Sequence, residues 1–399
     1  MNKLTIALSF LLALSNAVFS QHFDDERATV ENFKGIQYMG DDSTVYINFR
    51  FRMQSRAKYT FTKGEQANEE TIEARIRRLR LRMDGFIYSP KLTYSIQLGF
   101  TRGDQDYDDT DVVNLVRDAV VFYNFSDKFY MSFGQSKLPG NRQRVNSSGE
   151  LQFAERSLVN ANFNIDRDFG LKAYYSPKIG QVPLNFKLAV STGEGRISTT
   201  TDMGLAYTGR AEVLPLGEFT GKGDYIEGDL AYEESPKIAI GGGYSYNDRA
   251  TRAGGQTGVN LSSPITLKTQ FIDAIAKYRG WAYQIEYMKR DASVAIGLTP
   301  ENETANAYVG QGLNQQLSYI LNKKSGYEIA GRYTWLDPDD EIQQFEKDTE
   351  VFELGLTKYF RAHRLKLQFN ANYQVNNGNF STVNPGNSFG GVFQIELGI

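Results

Sequence analysis

The sequence predicts an all-β fold, namely a transmembrane antiparallel β-barrel of about 16 strands. Apolar and polar residues alternate along many segments of roughly ten residues, the length of a tilted membrane strand. Short turns and long polar loops alternate between these segments, as in outer-membrane barrels. The 399-residue chain is polar on average, with a mean hydropathy of −0.44, yet contains 24 Tyr, 26 Phe and 37 Gly. This balance is expected where one strand face meets lipid and the other meets water.

The N-terminus has the features of an export signal. Lys3 supplies a positive charge, residues 5–14 are apolar, and small residues precede a predicted cleavage site near Ser20 and Gln21. The rest of the sequence contains no run of about 18 apolar residues, so no membrane-spanning helix is predicted. The predicted organisation is a signal peptide at 1–20, a periplasmic leader at 21–43 and the barrel at 44–399.

The segment 45–53 shows the alternation clearly, because its odd positions are apolar and its even positions are mostly polar. A period of two gives a strand one apolar and one polar face. The same pattern recurs to the C-terminus. The predicted strands are 44–54, 75–88, 91–101, 115–124, 129–136, 167–175, 182–191, 204–214, 237–247, 267–278, 281–291, 310–321, 326–336, 348–359, 364–376 and 389–399.

The connections between these strands alternate in length. Sixteen strands place both mature ends on the short-turn side, as expected for a single-chain bacterial barrel. Segment 225–233 also has strand character, but counting it would give seventeen strands. We therefore interpret 215–235 as a long periplasmic connection. The predicted long loops are 55–72, 102–114, 137–166, 192–203, 248–266, 292–309, 337–347 and 377–388.

Composition excludes several classes of functional site. The chain has no Cys and 2 His, which excludes thiol catalysis and cysteine-bound zinc and leaves little room for histidine-based sites. We find no nucleophile-elbow, phosphate-loop or zinc-protease motif, so we expect neither an enzyme nor a cofactor. The formal net charge of −3 gives no reason to expect nucleic acid as a partner.

The sharpest local feature is a row of arginines in the second predicted strand. Arg78, Arg80 and Arg82 share one strand face, and Arg50 and Arg52 lie on the polar face of the preceding strand. An arginine on the lipid face costs about 2–4 kcal/mol near the bilayer midplane, so this row should face the lumen. Arg75 and Arg77 are at odd positions, which alternation places on the opposite strand face. They can join the lumen row only if the strand contains a β-bulge or starts later.

A cationic lumen wall has two interpretations. Guanidinium groups bind phosphate and carboxylate oxygens, and several weak sites in series let an anion both enter and leave a pore. Alternatively, the lumen arginines pair with acidic residues and only stabilise the barrel. Candidate acidic partners are Asp84, Asp118, Glu155, Asp166 and Asp168.

The third long loop, 137–166, is the next candidate. A loop of about thirty residues without its own strands is usually functional, and in a wide barrel it can fold inward and narrow the pore. Its basic residues would then face the arginine row; a surface flap is the alternative. Its cations are Lys137, Arg142, Arg144 and Arg156. The second loop carries five aspartates between 104 and 111, which favour a solvated acidic surface loop; a Ca²⁺ site is the alternative, for which the sequence signal is weak.

Four stretches together resemble the phosphate-selective porin O and P family. They are Arg77–Leu81 leading to Asp84-Gly85, Val116–Val121, Gly134–Pro139, and Phe153–Ser157 followed by Arg167–Gly170. The resemblance implies a sixteen-stranded homotrimeric porin with an inward-folded third loop, an arginine ladder at Arg78, Arg80 and Arg82, and a pore-loop base at Lys137. The sequence departs from the pattern in its more basic loop start, 141–144, and in ending at Ile399 where many barrels end in Phe.

We therefore expect a channel in the outer membrane of a Gram-negative bacterium, with small anions such as phosphate, membrane lipid and lipopolysaccharide as its partners. Two alternatives stay open. One is a barrel with a structural, adhesive or general-diffusion role without phosphate selectivity. The other is a soluble, secreted all-β binding protein or enzyme.

Overall fold

The computed structural model describes residues 35–40, 44–105, 113–198, 204–380 and 384–399. Within them, sixteen antiparallel strands form a closed barrel, which confirms the predicted fold. Each strand pairs with its sequence neighbours, and the first pairs with the last to close the barrel. The strands are β1 (Val45–Thr62), β2 (Glu69–Ile87), β3 (Leu92–Gly99), β4 (Val116–Ser126), β5 (Phe129–Lys137), β6 (Arg167–Tyr175), β7 (Val182–Ser191), β8 (Ala206–Val213), β9 (Lys237–Arg252), β10 (Asn260–Tyr278), β11 (Trp281–Ala292), β12 (Gly310–Asn322), β13 (Tyr327–Pro338), β14 (Thr349–Arg361), β15 (Leu365–Asn376) and β16 (Ser388–Gly398).

The strands bury polar residues and expose apolar ones, the inverse of a soluble protein. In β12, Asn314, Gln316 and Ser318 are buried in the lumen, whereas the intervening Leu317 is 48% exposed on the outer face. The same alternation along β14 leaves Leu354 68% exposed. Every second side chain therefore faces the bilayer, as the period-two pattern predicts.

Two predicted loops are shorter than expected. Strand β1 continues to Thr62 and β2 begins at Glu69, so residues 63–68 replace the predicted loop 55–72. Likewise β9 reaches Arg252 and β10 begins at Asn260, which leaves 253–259 instead of 248–266. These strand ends extend the ladders with charged and polar residues, whose weak alternation hides them in the sequence.

A short strand, Ile36–Met39, lies within the predicted leader and pairs antiparallel with the start of β1. Strand β16 ends at Gly398 opposite Arg52, so it leaves the first residues of β1 without a partner on that edge. The short strand occupies this edge, which satisfies backbone groups that would otherwise be unpaired. The predicted signal peptide and residues 21–34 lie outside the described residues.

The connection 214–236 contains no barrel strand, in agreement with the interpretation of 215–235 as a long connection, and it folds inward. It includes a short 3₁₀ helix, Thr220–Tyr225. Its later residues Glu227, Asp229 and Glu233 are at most 4% exposed. The connection therefore fills part of the lumen from the short-turn side.

The third loop also enters the barrel, as the fold prediction required. It carries two short helices, Arg142–Val145 and Leu158–Phe163; Ser157 caps the second by accepting a hydrogen bond from the backbone N–H of Asn160 at 3.2 Å. A further short helix, Arg102–Gln105, lies in the second loop. Residues 106–112 of that loop's aspartate cluster lie outside the described residues. No helix among the described residues is long and apolar enough to cross a membrane.

Candidate pore constriction

The apolar side of the third loop fixes it to one wall of the barrel. Val159 and Phe163 are fully buried, and they join Phe271 and Met288 of β10 and β11 in one hydrophobic cluster. Burial of such side chains contributes about 1.5–3 kcal/mol each. Ser147, Ser148 and Glu155 of the loop instead contact the opposite wall, where β1 and β2 carry the arginines.

The register of β1 and β2 places their arginines side by side. Arg50 lies opposite Arg82, and Arg52 lies opposite Arg80. Like charges directly across a ladder repel each other, so the pairs need anionic or hydrogen-bonding neighbours. Ser147 and Ser148 of the third loop accept hydrogen bonds from Arg52 at 3.1 and 2.8 Å.

Two β-bulges bring further arginines out of alternation. In β2, Arg78 pairs with Gln54 and Ile76 with Ser55, so Arg77 is the extra residue between them. In β4, Asp118 pairs with Gln97 of β3 and Val116 pairs with Leu98, so Arg117 is the extra residue between them. A bulge re-aims one side chain relative to the strand alternation. The bulge required by the position of Arg77 is thus present.

Asp104 of the second loop is shared by two of these arginines. Arg80 donates to both of its carboxylate oxygens, through Nε at 2.6 Å and through Nη2, and Arg117 donates at 3.1 Å. Asp104 is 2% exposed. Burial would favour the neutral acid, but Arg80 and Arg117 hold the pKa of Asp104 well below its ordinary value. The carboxylate therefore stays charged and offsets part of the local positive charge.

Glu155 of the third loop gathers the arginines nearer the long-loop side. Arg78 donates to it at 2.9 Å, and Arg56 and Arg77 also donate to it. Burial alone would raise the pKa of Glu155, but Arg78, Arg77 and Arg56 together hold it well below its ordinary value. Glu73 also accepts a hydrogen bond from Arg56, at 2.8 Å, so two carboxylates face these three guanidinium groups and a positive excess remains.

Two cavities adjoin the loop on either side of these clusters. The outer cavity, of about 400 Å³, lies toward the long loops, and the inner cavity, of about 380 Å³, lies toward the short turns. Each is lined by eight basic and two acidic residues. Four residues line both cavities and therefore lie between them: Arg80, Arg117, Arg144 and Arg156.

Two cations without a carboxylate partner in the described part of the chain lie on the loop and at its base. Arg156 donates to the backbone oxygens of Gln143 and Asn146 at 2.6 and 2.9 Å. Lys137 donates to the backbone oxygens of Val145 and Asn146 at 2.8 and 2.9 Å. Neither forms a salt bridge among the described residues. A carbonyl satisfies a donor without neutralising its charge, so both residues keep the site net positive.

The sequence matches the family model described as phosphate-selective porin O and P over residues 47–395. The chain belongs to this porin family. A protein of Aquifex aeolicus (strain VF5) described as uncharacterized is 22% identical over 364 residues, which span 82% of this chain and 81% of that protein.

Two solved structures share the porin fold at low identity. OmpF of Salmonella typhi, in complex with daunomycin, is 12% identical with a TM-score of 0.54, covering 91% of this chain and 100% of that chain. The outer membrane channel DcaP of Acinetobacter baumannii is 11% identical with a TM-score of 0.51, covering 90% and 99%. Family membership makes the chain an outer-membrane porin.

The structure of the porin separates the predicted site residues into two groups. Arg52, Arg78, Arg80, Arg82, Lys137, Arg144 and Arg156 line one or both cavities. Arg142 instead lies fully buried against β10, where it donates to Asp273 at 2.7 Å. Arg50 pairs with Asp84 outside both cavities. Arg142 therefore anchors the loop to the wall, because its helix turns it away from the cavities.

Five arginines that line the cavities are missing from the predicted site residues: Arg77, Arg117, Arg167, Arg196 and Arg290. Strict alternation places Arg77 on the outer face and makes no allowance for the bulges at Arg77 and Arg117. Arg167 begins β6 and donates to Asp118 at 2.8 Å. The signal that pointed to Arg117 and Arg167 was their place in the stretches that resemble the porin family.

Proposed function

We propose that this porin conducts small anions, phosphate among them, through the region that joins the outer and inner cavities. The observation that carries the proposal is the composition of the lining, with eight basic and two acidic residues around each cavity. An anion in either cavity is attracted to an excess of positive charge, whereas a cation is repelled.

The arginines provide a series of sites of moderate strength. Arg80 and Arg117 already share Asp104, and Arg144 donates to Asp166 at 2.7 Å, so each offers an entering anion only part of its donors. Within the described residues, Arg156 and Lys137 contribute charge that no carboxylate bonded to them neutralises. Serial sites that are partly satisfied favour conduction over trapping, because an anion exchanges one set of donors for the next.

A general-diffusion channel without phosphate preference is the second candidate. The pairing of Arg80 with Asp104 and of Arg78 with Glu155 favours it, because Asp104 already occupies the bidentate position of Arg80 and Glu155 accepts a donor of Arg78. The two candidates differ in how phosphate affects the current carried by chloride. A phosphate-binding channel is blocked by low phosphate concentrations, and a general-diffusion channel is not.

Phosphate block of chloride current in planar bilayers tests the proposal. We expect phosphate to reduce single-channel chloride current in the wild type, and Arg156→Gln to weaken this block by about fivefold, because one unit charge at about 4 Å in water-like surroundings attracts by about 1 kcal/mol. Lys324→Gln is the matched control, because Lys324 is exposed in a short turn. Absence of block in the wild type would favour general diffusion.

The proposal includes the route and setting of the channel. We infer that residues 1–20 direct export with cleavage near Ser20 and Gln21, and that the exposed apolar outer face contacts membrane lipid and lipopolysaccharide. Membership of the porin family supports assembly as a homotrimer. N-terminal sequencing of the mature protein and its mass in detergent test the cleavage and the trimer, respectively.

A further inference from the structure

The inward connection 214–236 is fixed to the barrel wall beneath the third loop. Lys277 of β10 donates to the backbone oxygen of Ile226 at 2.8 Å. Asp229 accepts the backbone N–H of Gly280, in the turn that follows β10, at 2.7 Å. The connection is thus attached to rigid elements, and it can in turn support a loop that has no strands of its own.

Glu227, 1% exposed, is the residue of this connection that meets the third loop. Its backbone N–H donates to the oxygen of Glu150 at 3.0 Å. Its carboxylate accepts the backbone N–H of Gln152 at 2.9 Å and the side chain of Gln143 at 3.4 Å. Glu227 therefore links the start of the loop at 143 to its middle at 150–152.

Gln143 continues this link to the cavity lining. Its side-chain oxygen accepts from the backbone N–H and hydroxyl of Ser157 at 2.9 and 2.7 Å. Its backbone oxygen accepts from Arg156 at 2.6 Å. Arg156 lines both cavities, and only Gln143 separates it from Glu227.

We infer that Glu227 is a positioning residue for the pore: it holds the third loop against the β8–β15 side of the barrel and keeps Arg156 at the region shared by the cavities. Without its carboxylate, the N–H of Gln152 and the Gln143 side chain lose a buried acceptor. The part of the loop between 143 and 157 then loses two of its attachments, so Arg156 leaves the region shared by the cavities more often. The link to selectivity rests on the proposed anion channel, whereas the link to pore size does not.

Single-channel recording of Glu227→Ala and Glu227→Gln tests the inference. We expect Glu227→Ala to raise the conductance, add fluctuating substates and shift the reversal potential toward zero. Gln keeps an oxygen that accepts the Gln152 N–H, so Glu227→Gln should restore wild-type values. The matched control is Glu218→Ala, in the same connection, because Glu218 is 62% exposed in its pair with Lys178. Fewer folded barrels with unchanged conductance would overturn the inference.

A second variant tests the inference if Glu227→Ala does not fold. Gln143→Ala cuts the same link from the loop side, and unchanged conductance and reversal potential in Gln143→Ala would overturn the inference. The proposed anion selectivity and the positioning role of Glu227 can be refuted independently. A wild-type channel without anion preference refutes the proposed selectivity, while a rise in conductance of Glu227→Ala still supports the positioning role.

Discussion

Arg80 shows how a single lumen arginine serves both charge and stability. It is 6% exposed and donates to Asp104 and to Ser148 of the third loop, at 2.7 Å for the serine. A buried ion pair is a weak source of net stability, but removing one partner leaves an uncompensated buried charge. Functional substitutions at Arg80 consequently carry a stability effect that substitutions at exposed arginines do not.

Arg80→Met should destabilise the folded barrel by about 3–5 kcal/mol, because Asp104 loses its bidentate partner. Arg80→Lys should lose less stability than Arg80→Met, since Lys keeps the positive charge although it lacks the planar guanidinium group. Arg82→Met is the control, with an expected effect of about 0–1 kcal/mol, because Arg82 is 45% exposed in its pair with Asp84. Urea unfolding in lipid vesicles measures these differences, and equal effects at positions 80 and 82 would contradict the assignment.

The pH dependence of stability should report on Glu155. Its arginine neighbours lower its pKa in the folded state below the ordinary value of 4.5, so its contribution is fully present above that value and is lost as the pH falls toward the folded pKa. Glu155→Gln lacks this titration. The difference in unfolding free energy between wild type and Glu155→Gln should therefore shrink below about pH 4.5; a difference that stays constant from pH 7 to pH 3 would contradict the three-arginine cluster.

At the scale of single elements, β5 carries a backbone constraint beside the pore. Gly134 has a φ of +125°, and an added Cβ would lie 2.4 Å from the backbone oxygen of Ala119 on β4. Gly134→Ala should cost about 1–3 kcal/mol, because L residues rarely adopt this conformation. Gly331→Ala is the control, since a Cβ there meets nothing within 4 Å. Thermal unfolding compares the two, and equal midpoints would refute the constraint.

Alternation located the elements well because each strand lies between lipid and water, so its pattern is set locally. Alternation did not predict the features of the structure that depend on contacts between residues far apart in the sequence. The bulges at Arg77 and Arg117 arise from pairing between strands, and the placement of Arg142 depends on Asp273, which lies 131 residues away. The inward course of 214–236 likewise depends on contacts with the third loop that no local pattern contains.

For the whole molecule, near-neutral composition conceals a separation of charge. The chain has 44 basic and 47 acidic residues, yet the two cavities along the third loop are strongly basic. Part of the balancing acid lies within the arginine clusters, at Asp104 and Glu155. Net charge is therefore uninformative about this channel, and the local lining decides which ions it attracts.

The reversal potential of single wild-type channels in a KCl gradient tests the anion channel most directly. An excess of basic residues on both sides of the constriction predicts a potential displaced toward the chloride equilibrium potential, and Arg156→Gln should move it toward zero. A wild-type potential at zero, or displaced toward the potassium equilibrium potential, would contradict the account.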